Sequence, residues 1–194
     1  MLKFALIVGS TRPNRFADHS ARWISQGAAS RIEFQLDVLD LREFPLPFYN
    51  EPAPPTYTEG RYSEPAAEAW RNKIGGYDGF IATVAEYNHG PTAVIKNAFD
   101  SALYEWQRKP IAFVGHGGAG GVRAIEQLRG IVIELQMAPV KFEVNIGVDA
   151  YLGVVQAGAS LDEFPRLVQA RTALFDDLVW WGRALKAARQ ARVA

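Results

Sequence analysis

Five short apolar runs, each followed by a stretch of helical periodicity, constrain this chain more than any other feature. Lys3–Val8 is strand-like, and Phe16–Ser30 follows as a helix with Phe16, Trp23 and Ile24 on its inner side. Ile32–Leu39 alternates apolar and polar residues as a second strand. Ser63, Glu64 and Pro65 start a helix that runs to about Ile74, proline being suited to a first turn. "YDGFIATV" is a third strand ending at Val84, and Thr92 suits the N-cap of a helix over Ala93–Trp106. "PIAFVG" is a fourth strand, followed by Val122, Ile125, Leu128, Val132 and Leu135 at helical spacing. "APVKFEVNI" is a fifth, and Leu167, Ala170, Leu174, Leu178, Trp181 and Leu185 mark one face of a long final helix. The last few residues, rich in Ala and Arg, are expected to fray.

Such alternation predicts an α/β protein with a parallel sheet covered by helices on both faces and right-handed crossovers. In these sheets a ligand binds beyond the carboxyl ends of the strands, where the strand order reverses. The loops after strands one, three and four are therefore where function is expected.

Length and composition bound the reading. A chain of 194 residues, 48% of it apolar, fits one domain with an ample core. The exception is an irregular excursion over about residues 42–65, rich in proline, tyrosine and glutamate; loops of that length are usually functional or disordered. Basic and acidic residues balance at 21 each, which gives no argument for nucleic acid or an anionic membrane as partner. Without cysteine there is no disulfide, thiolate nucleophile or cysteine-ligated metal. No apolar run approaches the ~20 residues of a membrane span, and the amino-terminal apolar segment is too short for a signal peptide. The expectation is a soluble cytoplasmic protein.

The first loop, "GSTRPNR", offers the hydroxyls of Ser10 and Thr11 and the guanidinium forks of Arg12 and Arg15 at the positive end of a helix. It lacks the G-x-x-x-x-G-K-[ST] pattern, which argues for a single terminal phosphate over a triphosphate with magnesium. By itself it is either a phosphate site or a polar turn with surface arginines. In the second loop Glu86, Tyr87, Asn88 and His89 crowd a strand end, where Tyr87 could lie against a flat ligand. Lys96 and Asn97 just beyond could instead bond to neighbouring loops. The third, "VGHGGAGGVR", spells Gly115-x-Gly117-x-x-Gly120, a weak match to the dinucleotide fingerprint. On a fourth strand, glycines that let a backbone approach a planar ligand are the milder reading. His19, His89 and His116 lack metal-ligand spacing, and no G-x-S-x-G or H-E-x-x-H motif occurs. No metal is expected.

Taken together, the loops resemble those of the NAD(P)H-dependent FMN reductase family. "GSTRPNR" is similar to that family's G-S-x-R-x-x-S, and "AEYNHGPTAVIKNAFD" to its P-E-Y-N followed by L-K-N-A-[IL]-D; "YEWQRKPIAFVG" and "GHGGAGG" match its layout. The likeness covers nearly the whole chain in element order. It implies a single flavodoxin-like domain over 1–194, a three-layer sandwich with a five-stranded parallel sheet in the order 2-1-3-4-5. Ser10, Thr11, Arg12, Arg15 and the backbone of Phe16 and Ala17 would surround the FMN phosphate. Glu86, Tyr87 and Asn88 would line the isoalloxazine ring, largely through backbone groups, and His116, Gly117 and Gly118 would border its other side or edge. The chain departs from the pattern at Arg15, where relatives have serine, at Ala85 in place of proline, and at Thr92 and Ala93 in place of Pro-Gly.

The resemblance implies an NAD(P)H oxidoreductase, NADPH or NADH giving hydride to FMN and FMN giving it to a flavin, quinone or similar small acceptor in a ping-pong sequence. No catalytic side chain is required, because the flavin carries the chemistry. Backbone N–H groups of the glycine loop would stabilise the anionic reduced ring. A homodimer or homotetramer is implied, with Leu103, Tyr104 and Trp106 as candidates for the contact or, alternatively, for the core. The other readings are an FMN-binding electron-transfer or redox-sensing module and a dinucleotide-binding α/β protein; the arginine in the first loop favours the reductase over a flavodoxin.

Overall fold

In the computed structural model, which describes residues 1–191, the apolar runs form one parallel sheet. Four strands are long: β1 (Leu2–Val8), β2 (Phe34–Asp40), β3 (Gly79–Ala85) and β4 (Pro110–His116). Two are short: β5 (Ala138–Pro139) and β6 (Val144–Ile146). The order is β2-β1-β3-β4-β5, with β6 also paired to β4. The expected order 2-1-3-4-5 holds, and the expected fifth strand is split in two.

Every position of β3 and β4 is buried, as parallel strands covered on both sides require. Successive side chains point to opposite faces. Leu2, Phe4, Leu6 and Val8 pack with α1 (Ala17–Ala28), α5 (Val148–Ala157) and α6 (Pro165–Ala191). Ala5 and Ile7 pack with α2 (Pro65–Gly75), α3 (Ala93–Asp100) and α4 (Val122–Glu134). The result is a three-layer sandwich.

The split in the fifth strand has a local cause. Pairing with β4 continues past Pro139, the Val140 amide donating to the Ile111 carbonyl at 2.9 Å. There Arg129 of α4 donates to the Val140 carbonyl at 2.9 Å and pairs with Glu143 at 2.7 Å, which draws residues 141–143 off the sheet.

The helices differ from expectation in two places. α3 ends at Asp100 instead of reaching Trp106: Ser101 donates back to the Asn97 carbonyl at 2.8 Å, and Trp106 folds into the core, its indole donating to Phe99 at 3.1 Å. Trp106 is fully buried, Leu103 half-buried and Tyr104 exposed, so the helical contact face expected there does not form. α5 was not predicted. Its apolar residues Val148, Leu152 and Val155 face outward and only Ala150 and Val154 are buried, so its periodicity is invisible to an inside-apolar pattern.

The excursion is ordered by specific bonds. The Tyr49 amide donates to the Asn97 side-chain carbonyl at 2.9 Å, and the Asn97 amide donates to Pro47 at 2.8 Å. Glu51 accepts from the Ser63 amide and hydroxyl at 3.0 and 2.7 Å. The expected fraying concerns 192–194, outside the described residues. Among the described residues no helix is long and apolar enough to cross a membrane.

Candidate active site

Register brings the carboxyl ends of β1, β3 and β4 to one edge: Val8 pairs with Thr83, Thr83 with Val114, and Ala85 with His116. The first loop leaves β1 at Gly9, whose backbone is held by two threonines. Its N–H donates to Thr83 Oγ1 at 3.0 Å, and its carbonyl accepts from Thr92 Oγ1 at 2.6 Å. Thr92 also caps α3 by accepting from the Ile95 amide at 3.2 Å. A Cβ at Gly9 would lie 2.3 Å from the Thr83 carbonyl, so no larger residue fits.

Ser10 is buried and its Oγ lies 3.0 Å from the Tyr87 hydroxyl. The chain then turns through Asn14 in the left-handed region, φ 53°, and runs into α1. The backbone N–H groups of Arg15, Phe16 and Ala17 donate to no acceptor among the described residues. They are the unsatisfied donors of a helix start, where an anion is favoured.

The two arginines of this loop have different circumstances. Arg15 is buried: its guanidinium donates to Asp18 at 2.6 and 2.8 Å, to Asp40 and to the Ser10 carbonyl. Burial alone would raise the Asp40 carboxyl, but hydrogen bonds from Arg15 and Arg42 outweigh it and hold Asp40 well below the usual carboxylate range. Arg15, Arg42, Asp18 and Asp40 thus form a neutral cluster behind the loop. Arg12 is exposed, forms no ion pair among the described residues, and sits over the Tyr87 ring at 5.7 Å.

In the second loop, Tyr87 and Gly90 exchange both backbone hydrogen bonds, at 2.9 and 3.0 Å. The two residues between them, Asn88 and His89, are both left-handed, φ 51° and 67°. This is a two-residue turn, and asparagine and histidine are among the non-glycine residues that enter this region most often. α4 holds it: Gln127 donates to the His89 carbonyl at 2.8 Å, and Arg123 lies 2.7 Å from His89 Nε2. Arg123 also pairs with Glu86 at 2.7 Å, and its amide donates to the same carboxylate at 3.1 Å.

In the third loop the Glu86 amide donates to the His116 carbonyl at 3.1 Å, extending the β3–β4 ladder. Gly117 follows at φ 144°, with Glu86 Cβ 3.1 Å from where its own Cβ would stand. The amides of Gly117 and Gly118 have no acceptor among the described residues. His116 is buried against Phe16, ring centroids 5.3 Å apart, and its Nδ1 has no partner among the described residues. Burial pushes its pKa down to about 4, so it is neutral at physiological pH.

These loops enclose a cleft of about 380 Å³, within the ~300–1,000 Å³ range of ligand pockets. Of the residues expected at the site, Ser10, Arg12, Arg15, Phe16, Glu86, Tyr87, His116, Gly117 and Gly118 line it. Thr11 lines instead a second cavity of about 450 Å³ across Tyr87, walled by Phe48 and Pro47 of the excursion and by α3. Ala17 is buried beneath the cleft and Asn88 is exposed on the turn; neither side chain lines it. The sequence reading missed Val148, Tyr151 and Leu152, which close one side of the cleft from α5. Tyr151 stacks on Phe16 at 4.7 Å. Nothing local to "VDAYLG" signals that role, because it depends on where β6 delivers the helix.

The donor set fits a flavin mononucleotide. The helix-start amides, Ser10 and Arg12 suit a phosphate, and the side-chain-free edge at Gly117 and Gly118 with its unpaired amides suits the carbonyl edge of a flat ring. A parallel sheet of this order with such a cleft at its carboxyl edge has the architecture of a flavodoxin-like flavoprotein. Over residues 2–150 the chain matches the NADPH-dependent FMN reductase family, and it belongs to that family. It is 33% identical over 139 residues to an NAD(P)H-dependent FMN reductase of Schizosaccharomyces pombe, covering 71% of this chain and 70% of that one. It is 31% identical over 143 residues to a 2-hydroxy-1,4-benzoquinone reductase of Burkholderia sp, with 70% and 73% covered. FerB of Paracoccus denitrificans, a flavoenzyme NAD(P)H:(acceptor) oxidoreductase, shares the fold, with a TM-score of 0.71 over 95% of this chain and 98% of that one at 23% identity. The protein is therefore an oxidoreductase with FMN as cofactor and NAD(P)H as reductant.

Proposed function

We propose that this enzyme passes reducing equivalents from NAD(P)H through FMN to a small flavin, quinone or related acceptor, the donor leaving before the acceptor enters. The observation that carries the reading is the meeting, in one cleft, of an anion cradle and a slot with an edge free of side chains. When bound, FMN supplies the hydride chemistry. The chain's own contribution is to bind and orient. Arg12 and the amides of residues 15–17 hold the phosphate. Arg15, already neutralised by Asp18 and Asp40, shapes the loop through the Ser10 carbonyl instead of lending it charge. The amides of Gly117 and Gly118, which have no acceptor among the described residues, would meet the ring edge where negative charge collects on reduction, and being fixed beforehand they would need no reorganisation. Tyr151 and Leu152 restrict water on the α5 side.

Relatives named as reductases of FMN and of a benzoquinone support a small planar acceptor. The open side of the cleft is the common approach for donor and acceptor, which is the basis for a ping-pong order. We take the enzyme to be cytoplasmic, in keeping with a chain without cysteine. We also take it to be a homodimer or homotetramer, in which exposed Tyr104, Phe48 and Tyr57 meet a second copy.

The test is a visible spectrum of the protein after FMN loading and removal of the excess, followed by anaerobic NADPH. Retained flavin that bleaches on addition, and initial-rate plots against NADPH that are parallel at several quinone concentrations, are the expected results. Retained flavin that NADPH does not bleach would overturn the reductase reading, and intersecting lines would overturn the ping-pong order. Light scattering behind size exclusion reads the assembly, and a monomer would overturn that part.

A further inference from the structure

Resting on the FMN reading above, we infer that Tyr87 is a positioning residue for the FMN phosphate, acting through Ser10, in addition to forming a wall of the cleft. Ser10 Oγ is buried and its one partner among the described residues is the Tyr87 hydroxyl, at 3.0 Å. Each of these hydroxyls has one proton to give. A phosphomonoester above its second pKa of about 6 has only acceptors, so a serine beside it must direct its proton outward. The phenol, the more acidic of the two, then donates to Ser10. The result is a chain from Tyr87 to Ser10 to phosphate in which each bond polarises the next.

The tyrosine is placed for this by more than its hydroxyl. Its backbone forms the turn clasped by Arg123 and Gln127 of α4, so the phenol cannot drift from the loop. On the other side the Ser10 carbonyl is held by Arg15. The Ser10 hydroxyl is thus fixed between two anchored groups. Arg12 sits over the same ring at 5.7 Å, which keeps its guanidinium beside the loop. Residues 77 positions apart, on different loops, meet at this one bond.

The experiment compares FMN with riboflavin, which lacks the phosphate, by fluorescence titration of the apoprotein in wild type, Tyr87→Phe, Ser10→Ala and the double variant. Tyr87→Phe keeps the ring wall and removes only the donor. The expected result is that it lowers the preference for FMN over riboflavin by about 5- to 10-fold, the worth of one ordinary neutral hydrogen bond, and leaves riboflavin binding unchanged. The double variant should be no worse than Ser10→Ala, because both changes cut the same chain. Equal weakening of both flavins by Tyr87→Phe, an unaltered preference, or additive effects in the double variant would each overturn the inference. A wild-type protein that binds FMN no better than riboflavin would overturn the phosphate reading itself, and this inference with it.

Discussion

Arg15 and Asp40 stand 25 positions apart in the chain and meet behind the first loop, one contact at 2.8 Å, with side chains 2% and 17% exposed. The pair joins the start of α1 to the end of β2, and through the Ser10 carbonyl it braces the first loop. Replacing Asp40 by Asn leaves a buried guanidinium with Asp18 as its main counter-charge. The expected loss is on the order of 2 kcal/mol, less than the ~3–5 kcal/mol of a fully buried pair because Asp18 remains and Asp40 reaches solvent. Urea unfolding at neutral pH measures it. The Asp40 carboxyl is depressed in the folded state, so the unfolded chain takes up a proton first as pH falls. The pair's contribution is therefore complete above about pH 5 and lost in more acid solution. Asp40→Asn should flatten that part of the stability curve.

His116 sets a second acid-dependent term. The unfolded imidazole protonates below about pH 6.5, while in the folded chain burial pushes it down to about 4. Between these values the unfolded state binds more protons, so stability falls as pH is lowered, by roughly 3 kcal/mol at most. His116→Leu should remove that slope. Thermal unfolding of both proteins at pH 7 and pH 5 checks it, and an unchanged slope in the variant would assign the effect elsewhere.

Gly117 carries a backbone angle of φ 144° and has Glu86 Cβ 3.1 Å from its own missing Cβ. Gly117→Val strains the turn and pushes into the ring slot from the Glu86 side. FMN retention should drop at least about tenfold, while the far-UV dichroism of the apoprotein stays as in wild type. Full flavin occupancy in the variant would mean that the glycine loop does not border the ring.

Arg12 and Arg15 should separate cleanly. Arg12 has no ion partner among the described residues, so Arg12→Gln should change stability by no more than about 0.5 kcal/mol. It should weaken FMN by about 10- to 100-fold, the scale of a charge-assisted hydrogen bond, and reduce the salt dependence of binding. Arg15→Gln should do the reverse, costing stability through its two carboxylates more than it costs affinity. Paired melts and FMN titrations distinguish the two.

Much of the fold was legible because β1, β3 and β4 are short, mostly apolar and bounded by glycine or proline, and because Trp23, Ile24, Leu128 and Leu174 recur on buried helix faces. Thr92 was legible as a cap for the same local reason. What could not be read depends on partners distant in sequence. Arg129 of α4 divides the fifth strand by taking the Val140 carbonyl, and no pattern within "APVKFEVNI" announces it. α5 hides because its apolar side chains face outward. The three loops of unusual composition do meet at one cleft, whereas the different surroundings of Arg12 and Arg15 turn on Asp40, which carries no motif of its own.

The clasp between the second and third loops has a mechanical consequence. Glu86 is bound to the end of β4 through its amide and to the start of α4 through its carboxylate, while α4 also grips both ends of His89. The second loop, the end of β4 and the start of α4 are therefore tied into one unit through Glu86 and Arg123, so that a substitution cutting the Arg123 guanidinium should loosen both loops together.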